Sequence, residues 1–435
     1  MFQDSIQYII KFLLYGGNEH LENQVSYEEE AEGAKTKICI LKSKFFSDAV
    51  YGTYSSLPSI PLKEMNGVPI LFGGNEVKKI DGKIIVYADL IASTYFLITR
   101  YEEIVSKDVR DEHGRFVGKE SLPFRAGFID RPIVDEYGRM LRGWLREVGL
   151  NVNEPPKQFG KIYLTHDVDN PWEDFSLKSA VRRVIRLLVK NHKLTIYPLL
   201  NLIGIPRYDP WFNFEWLIDQ DSIVMKKYHE RCKTIYFVKS GGNAKPEDSF
   251  IYIKKPGFQS LRNLLRTSKA HIGLHTSYQA GMDSKLLDTE KRTLSSYMGE
   301  TILFNRHHFL RSRDPQDMEE LIDIGITDDF TMGYADIAGF RLGTSRSVKW
   351  INPYNSKLTS LTLHPMTVME GTLFENQYMG LSWDEANEYA QKLIMQVKSN
   401  NGELILLWHN TAIAREEACK ALYVKLLQYL YMLKC

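Results

Sequence analysis

The sequence predicts an α/β protein of two units, a small mixed module followed by a larger one built on a parallel sheet or barrel, and three observations lead there. The chain has 435 residues, and at roughly 150 residues per domain that is too long for one ordinary unit. Polar residues and a Pro-Pro pair fill 151–161 (NVNEPPKQFGK), the composition of a domain boundary. Beyond it, near-continuous apolar runs alternate with helical patterns, as expected of strands buried on both faces of a parallel sheet. The expected division is 1–155 and 156–435.

Composition sets the limits. Hydrophobic residues make up 44% of the chain and charged residues 25%, enough apolar surface to offset the entropy of ordering, so wholesale disorder is excluded. Lys and Arg number 55 against 54 Asp and Glu. With a net charge of only +1, no global field draws the protein to nucleic acid or to anionic membranes, and a charged partner has to meet a local patch. Cys39, Cys232, Cys419 and Cys435 lie far apart with no CxxC spacing, which argues against a disulfide scaffold and a thiolate zinc cluster and fits a reducing compartment. The opening MFQDSIQYIIKFLLYGG is interrupted by Lys11 and has no A-x-A-like site after it, so it reads as a helix of the folded unit. No apolar run reaches the roughly 18 residues of a membrane span. The expectation is a soluble, cytoplasmic protein, with peripheral membrane contact left open.

In the first unit, 36–42, 68–73 and 83–90 read as strands, and 93–104 and 133–149 as helices. The charged, turn-rich stretch 110–132 is a long loop of the kind that forms interfaces or sites. In the second unit the strands are 161–169, 234–241, 271–277, 301–309, 357–365 and 403–410, with helices around EWLIDQDSIVMKKYHERC and in KLLDTEKRTLSSYM.

Polar residues gather at the ends of those strands, where parallel α/β folds place their chemistry. The first strand closes on Thr165-His166-Asp167-Val168-Asp169. Alternation sends both carboxylates to one side of a buried strand, which is costly unless a cation or donors neutralise them; a capping and turn cluster is the other reading. His275 follows the run IGL, although a lone histidine is more often structural than a ligand. In Asn305-Arg306-His307-His308, alternation points Arg306 and His308 one way and His307 the other. His409 follows ELILLW. Any one of these could be structural. Four strands each ending in ionisable groups supply a ligand set for one divalent metal, a carboxylate base, a guanidinium and a further histidine, the kit of a metal hydrolase.

The succession THDVD, TIYFVKSG, IGLHTS, NRHHFL and LLWHN resembles the polysaccharide deacetylase (NodB-like) family of carbohydrate esterases over residues 160 to about 432. RDEHGRF and RAGFIDRPIVDEY, before residue 150, look like the N-terminal domain that accompanies a bacterial subgroup of the family. The resemblance implies an irregular (β/α)7 barrel and removal of acetyl groups from sugars with one divalent metal, zinc being the first choice. It further implies Asp167 as general base, Asp169 and His275 as metal ligands, Arg306 as the group that orients the base, and His409 as general acid. One departure stands out: the family's second metal histidine falls at Gln279. His308, on the same face as Arg306, is the expected replacement, with a water-completed site as the alternative.

Two substrate contacts are expected as well, Arg341 in GFRLGTS and Trp172, three residues past Asp169; an internal ion pair and a core position are the plainer readings. The segment 177–193 sets Leu177, Val181, Val184, Ile185 and Leu188 on one helical face, with Arg182, Arg183, Arg186, Lys190 and Lys193 elsewhere. A solvated basic face is the plain reading, an anionic glycan carrier or lipid headgroup the sharper one. The expected function is a metal-dependent deacetylase acting on an N-acetylated sugar or glycan precursor. The alternatives are a catalytically silent glycan-binding scaffold and an amidohydrolase acting on a non-sugar amide.

Overall fold

The computed structural model describes residues 2–32, 35–173, 176–192, 194–243, 247–249, 251, 253–313 and 315–434. The N-terminal part carries strands β1 (Val25–Glu28), β2 (Ile38–Leu41), β3 (Lys63–Met65), β4 (Val68–Ile70), β5 (Gly73–Ile80) and β6 (Lys83–Ala88). Four of them form a sheet in the order β1-β2-β6-β5, while β3 and β4 pair separately. The helical pattern over 93–104 becomes two helices, Leu90–Ile98 and Tyr101–Val105. They break where Arg100 adopts a φ of 55°, a left-handed conformation that cannot continue a right-handed helix. Asp89 starts the first of them by accepting from the Ala92 N–H at 2.8 Å.

The second part is built on β7 (Lys161–Val168), β8 (Cys232–Val238), β9 (His271–Thr276), β10 (Phe304–His307), β11 (Asp328–Met332), β12 (Val348–Asn352), β13 (Lys357–Pro365), β14 (Val368–Met369) and β15 (Glu403–Leu407). They form one sheet in the order β12-β13-β11-β10-β9-β8-β7-β15-β14, parallel throughout except for β12, which runs antiparallel to β13. The sheet curls into a half-barrel. Between β13 and β15 it is joined by side chains: His364 bridges Asp328 of β11 at 2.9 Å and Glu403 of β15 at 2.7 Å, and its ring stacks on Phe330 at 4.2 Å. The concave side holds its own small apolar cluster, with Tyr163, Ile235, Phe237, Phe330, Ile405 and Leu407. The convex side shares a continuous core with the N-terminal part. Among the described residues no helix is long and apolar enough to cross a membrane.

The buried loop 333–347 joins the two parts. Glu103 receives Arg341 in a two-pronged pair at 2.9 and 2.7 Å. Asp135, in the first turn of the helix Ile133–Glu147, accepts from Thr344, from the Ser345 N–H and hydroxyl, and from Arg346, all within 2.9 Å. Burial opposes ionisation of Glu103, but the Arg341 and Arg100 guanidiniums override it and hold the carboxyl below its ordinary value. Removing one partner of such a pair strands the other charge. Glu103→Gln should therefore cost about 3–5 kcal/mol in chemical denaturation at neutral pH, and Glu103→Leu combined with Arg341→Met far less. A carboxyl with a depressed pKa stabilises above its unfolded value and loses that contribution as the pH falls, so the gap between wild type and Glu103→Gln should narrow as the pH drops below 4.5.

Candidate functional site

β7 carries the first charges. Alternation turns Tyr163, Thr165 and Asp167 to the concave side, while His166 points outward to Asp221 at 2.9 Å. Arg306, facing them from β10, donates through Nη1 to Thr165 Oγ1 and to Asp167 Oδ1, both at 2.9 Å, and through Nε to the Phe330 carbonyl at 3.1 Å. Its guanidinium lies 4.4 Å over the Phe237 ring. Gly273 of β9 makes room for that ring, since a Cβ there would come within 2.4 Å of it. Burial pushes the Asp167 carboxyl toward protonation, but Arg306, His275 and His409 reverse this and hold it below the usual range.

Asp169, His275 and His308 come together beside this pair, their ligand atoms all within 4.8 Å of one another. Asp169 Oδ1 lies 2.9 Å from His275 Nε2 and 3.4 Å from His308 Nε2. His275 Nδ1 sits 3.0 Å from the Arg306 carbonyl oxygen, which can only accept, so in the neutral ring Nδ1 carries the hydrogen and Nε2 presents a lone pair. That lone pair faces a carboxylate oxygen, and both atoms are buried without a hydrogen-bond partner. Two acceptors held together in this way call for a cation between them. One carboxylate and two imidazoles form a donor set suited to a divalent metal, so the residues present fit such an ion. Burial works against ionisation of Asp169, yet the nearby His308 ring holds its carboxyl well below the usual range.

Opposite them, His409 follows β15 with its Nδ1 2.5 Å from Glu370 Oε1, and its backbone N–H donates to the same oxygen at 3.0 Å. Its Nε2 faces Asp167 Oδ2 at 3.9 Å and Asp169 Oδ2 at 3.8 Å. Burial disfavours a charged ring here, but the Glu370 carboxylate, helped by Asp169 and Asp167, pushes the His409 pKa up to about 10. These groups line one side of a cleft of about 490 Å³, whose wall includes Arg115, Tyr378 and Arg415.

The structure thus brings Asp167, Asp169, His275, Arg306, His308 and His409 into one place. Gln279 is exposed and contributes its backbone N–H to Asp248 at 3.3 Å, outside the ligand group. His307 turns away from the concave side, buried next to Asn305 at 3.1 Å and against Gly281. Two expected substrate contacts are corrected. Trp172 is buried with its ring 5.0 Å from Phe258 and packed on Gly257, because the chain after Asp169 dives under the following helices. Arg341 is consumed by Glu103 and by the Gly333 carbonyl at 2.7 Å, and neither residue lines the cleft.

Other residues of the site escaped the sequence reading. Glu370 ends the run TVM at a strand end, the same signal that singled out Asp167. Lys239 and Asp248, buried and 3.4 Å apart, stand behind His308, whose Nδ1 is 3.8 Å from Asp248. Arg115 comes from the loop 110–132 of the N-terminal part and donates to the Phe309 carbonyl at 3.0 Å and to Tyr378 at 3.2 Å. Phe309 and Leu310 have φ values of 63° and 53°, strained for non-glycine residues, so Arg115 braces the turn that follows His308.

Residues 2–149 match the model of a family of unknown function (DUF7033). No curated protein sequence matches the chain. Among solved structures, a putative polysaccharide deacetylase from Mycobacterium smegmatis is 12% identical with a TM-score of 0.39, over 65% of this chain and 87% of that one. A PuuE allantoinase is 12% identical with a TM-score of 0.38, over 65% and 88%. A mutant of a CE4 family pseudoenzyme with restored enzymatic activity is 10% identical with a TM-score of 0.27, over 64% and 66%. Likeness at this level bears on neither substrate nor activity.

Loss of outer contacts alone weakens metal sites by about 10–100-fold. His275→Ala and His308→Ala should each lower divalent-metal affinity by at least that much in equilibrium dialysis, and Gln279→Ala should leave it unchanged. The opposite ranking would remove His308 from the site.

Proposed function

We propose that the chain is a metal-dependent hydrolase that removes an acetyl group from an N-acetylated sugar or glycan precursor. One observation carries the reading: the Asp169–His275–His308 group, with Asp169 Oδ1 and His275 Nε2 unpartnered, lies between a carboxylate kept ionised by Arg306 and a histidine kept protonated by Glu370. The sugar assignment draws on the resemblance of the strand-end motifs.

Asp169, His275 and His308 would hold one divalent cation, zinc suiting the donor set, and such an ion supplies Lewis acidity toward a carbonyl and acidifies a water. Asp167 has Oδ1 committed to Arg306, which leaves Oδ2 to take a proton from the attacking water. His409, its Nδ1 held by Glu370, gives its Nε2 proton to the departing nitrogen. The 3.9 Å between His409 Nε2 and Asp167 Oδ2 lets base and acid serve the same reacting centre. Arg306 fixes the direction of the base and keeps it charged, and Lys239 and Asp248 stiffen the wall behind His308.

Acetate release from a panel of N-acetylated sugars, nucleotide sugars and oligosaccharides tests the reading. Asp167→Asn should lower turnover at least about a hundredfold while the protein retains its metal. Glu370→Gln should lower turnover with the metal equally retained, because His409 loses the group that orients it and holds its proton. A metal-loaded protein that binds glycans and releases no acetate from any of them would establish the silent scaffold instead.

A further inference from the structure

We propose that the outer face of residues 177–208 is a docking surface for an anionic phospholipid bilayer, lying in the plane of the interface. The helix Leu177–Asn191 packs on the protein through Ala180 and the half-buried Val184 and Leu187. Its wider apolar stripe, Leu177, Val181, Ile185, Leu188 and Val189, is 43–70% exposed. A helix of a soluble domain turns such a stripe of roughly 100° inward. The exposure continues beyond the helix: of the 23 large hydrophobic residues exposed among the described residues, 11 fall between 177 and 208. Single exposed apolar residues are ordinary, but so many within one short segment mark an interaction surface.

Charge identifies the occupant. Residues 176–208 contain seven Lys or Arg and no Asp or Glu, so a chain of net charge +1 divides into a segment of +7 and a remainder of −6. Lys178, Arg182, Arg186, Lys190 and Arg207 are exposed; Lys193 lies outside the described residues. Arg183 turns inward, donating to Glu173 at 3.1 Å and to Tyr197 at 3.3 Å, and Asn201 donates to the Glu173 carbonyl at 2.9 Å. This polar clamp fastens the segment to the protein while its apolar and basic faces stay out. An apolar stripe flanked by Lys and Arg is the composition of an interfacial helix drawn to anionic lipid. A second copy of the chain would oppose the same exposed Lys and Arg residues to themselves, so like-charge repulsion disfavours it.

The segment is also rooted beside the cleft. Asn410, next to His409, donates to the carbonyls of Asn170 at 3.0 Å and Trp211 at 2.9 Å. Arg415 of the cleft wall lies 5.2 Å over the Trp211 ring. Docking would hold the cleft against the bilayer surface. The inference stands on exposure and charge, and its test reads lipid binding, so it survives or fails independently of the proposed activity.

Full-length protein should sediment with vesicles of phosphatidylcholine containing phosphatidylglycerol and not with phosphatidylcholine alone, and added salt should weaken the binding. Val181→Asp combined with Ile185→Asp should abolish it with the melting temperature unchanged. Val189→Asp alone, at a site 70% exposed, should weaken it and serves if the double variant does not fold. Arg182→Glu combined with Arg186→Glu should lower the affinity about tenfold or more. No binding to either vesicle, equal binding to both, or anionic binding indifferent to the Asp variants, as a plain polyanion patch would give, overturns the proposal. So does a concentration-dependent dimer that Val181→Asp with Ile185→Asp disperses, which would make a second copy the occupant.

Discussion

Two carboxylates leave the end of one buried strand, and the rest of the site is organised around neutralising them. In a low-dielectric interior neither Asp167 nor Asp169 could stay ionised beside the other without compensation. Each receives it differently. Asp167 is met by a guanidinium whose remaining bonds go to Thr165 and the Phe330 carbonyl, so the counter-charge is rigid and the carboxylate keeps one fixed oxygen and one free. Asp169 is met by two imidazoles, one of which already spends its N–H on a backbone carbonyl. The first solution fixes the direction of a carboxylate; the second leaves a gap that fits a cation. Gly273 and Phe237 belong to the same arrangement, because the ring that supports Arg306 occupies the space a side chain at 273 would take.

The N-terminal part belongs to this arrangement too. A loop of the length of 333–347, buried against the N-terminal helices, would carry many unsatisfied polar groups. Glu103 and Asp135 satisfy them from one side, and Asp336 repays the contact by accepting from the Gly118 and Lys119 N–H groups at 2.8 and 2.9 Å. Those bonds fix the loop 110–132, which carries Arg115 to the Phe309 carbonyl and to the wall of the cleft. The expected loop therefore acts through hydrogen bonds that no periodicity encodes.

Strand ends were legible in the sequence wherever an apolar run closed on an ionisable residue. β7, β9 and β15 match their expected spans to within three residues, and β13 over its whole length, and alternation correctly separates Arg306 and His308 from His307. The same reasoning fails in three kinds of place. β11 opens on Asp328 and Asp329, whose side chains serve His364 and Asn305, so its run is too short and too polar to read as a strand. Trp172 and Arg341 stand out by residue type and neighbourhood in sequence, whereas their placement depends on Phe258 and Glu103, far away along the chain. For the helix Leu177–Asn191, periodicity finds an amphipathic pattern but cannot say which side meets the core.

The placing of the second imidazole at His308, with Gln279 exposed outside the group, has a structural consequence. At Gln279 a ligand would hang from the turn after β9, adjacent to His275 and independent of β10. His308 follows Arg306 by two residues, directly past the end of β10, so the guanidinium on Asp167 and the imidazole beside Asp169 move together. The register of β10 on β9, with Arg306 beside His275, then sets both spacings at once. That coupling demands a firm end to β10, and the chain supplies it: Phe309 and Leu310 take left-handed conformations, Leu310 plugs the concave core, and Arg115 grips the carbonyl between them. The left-handed turn directly after His308 is thus braced by a residue from the N-terminal part of the chain.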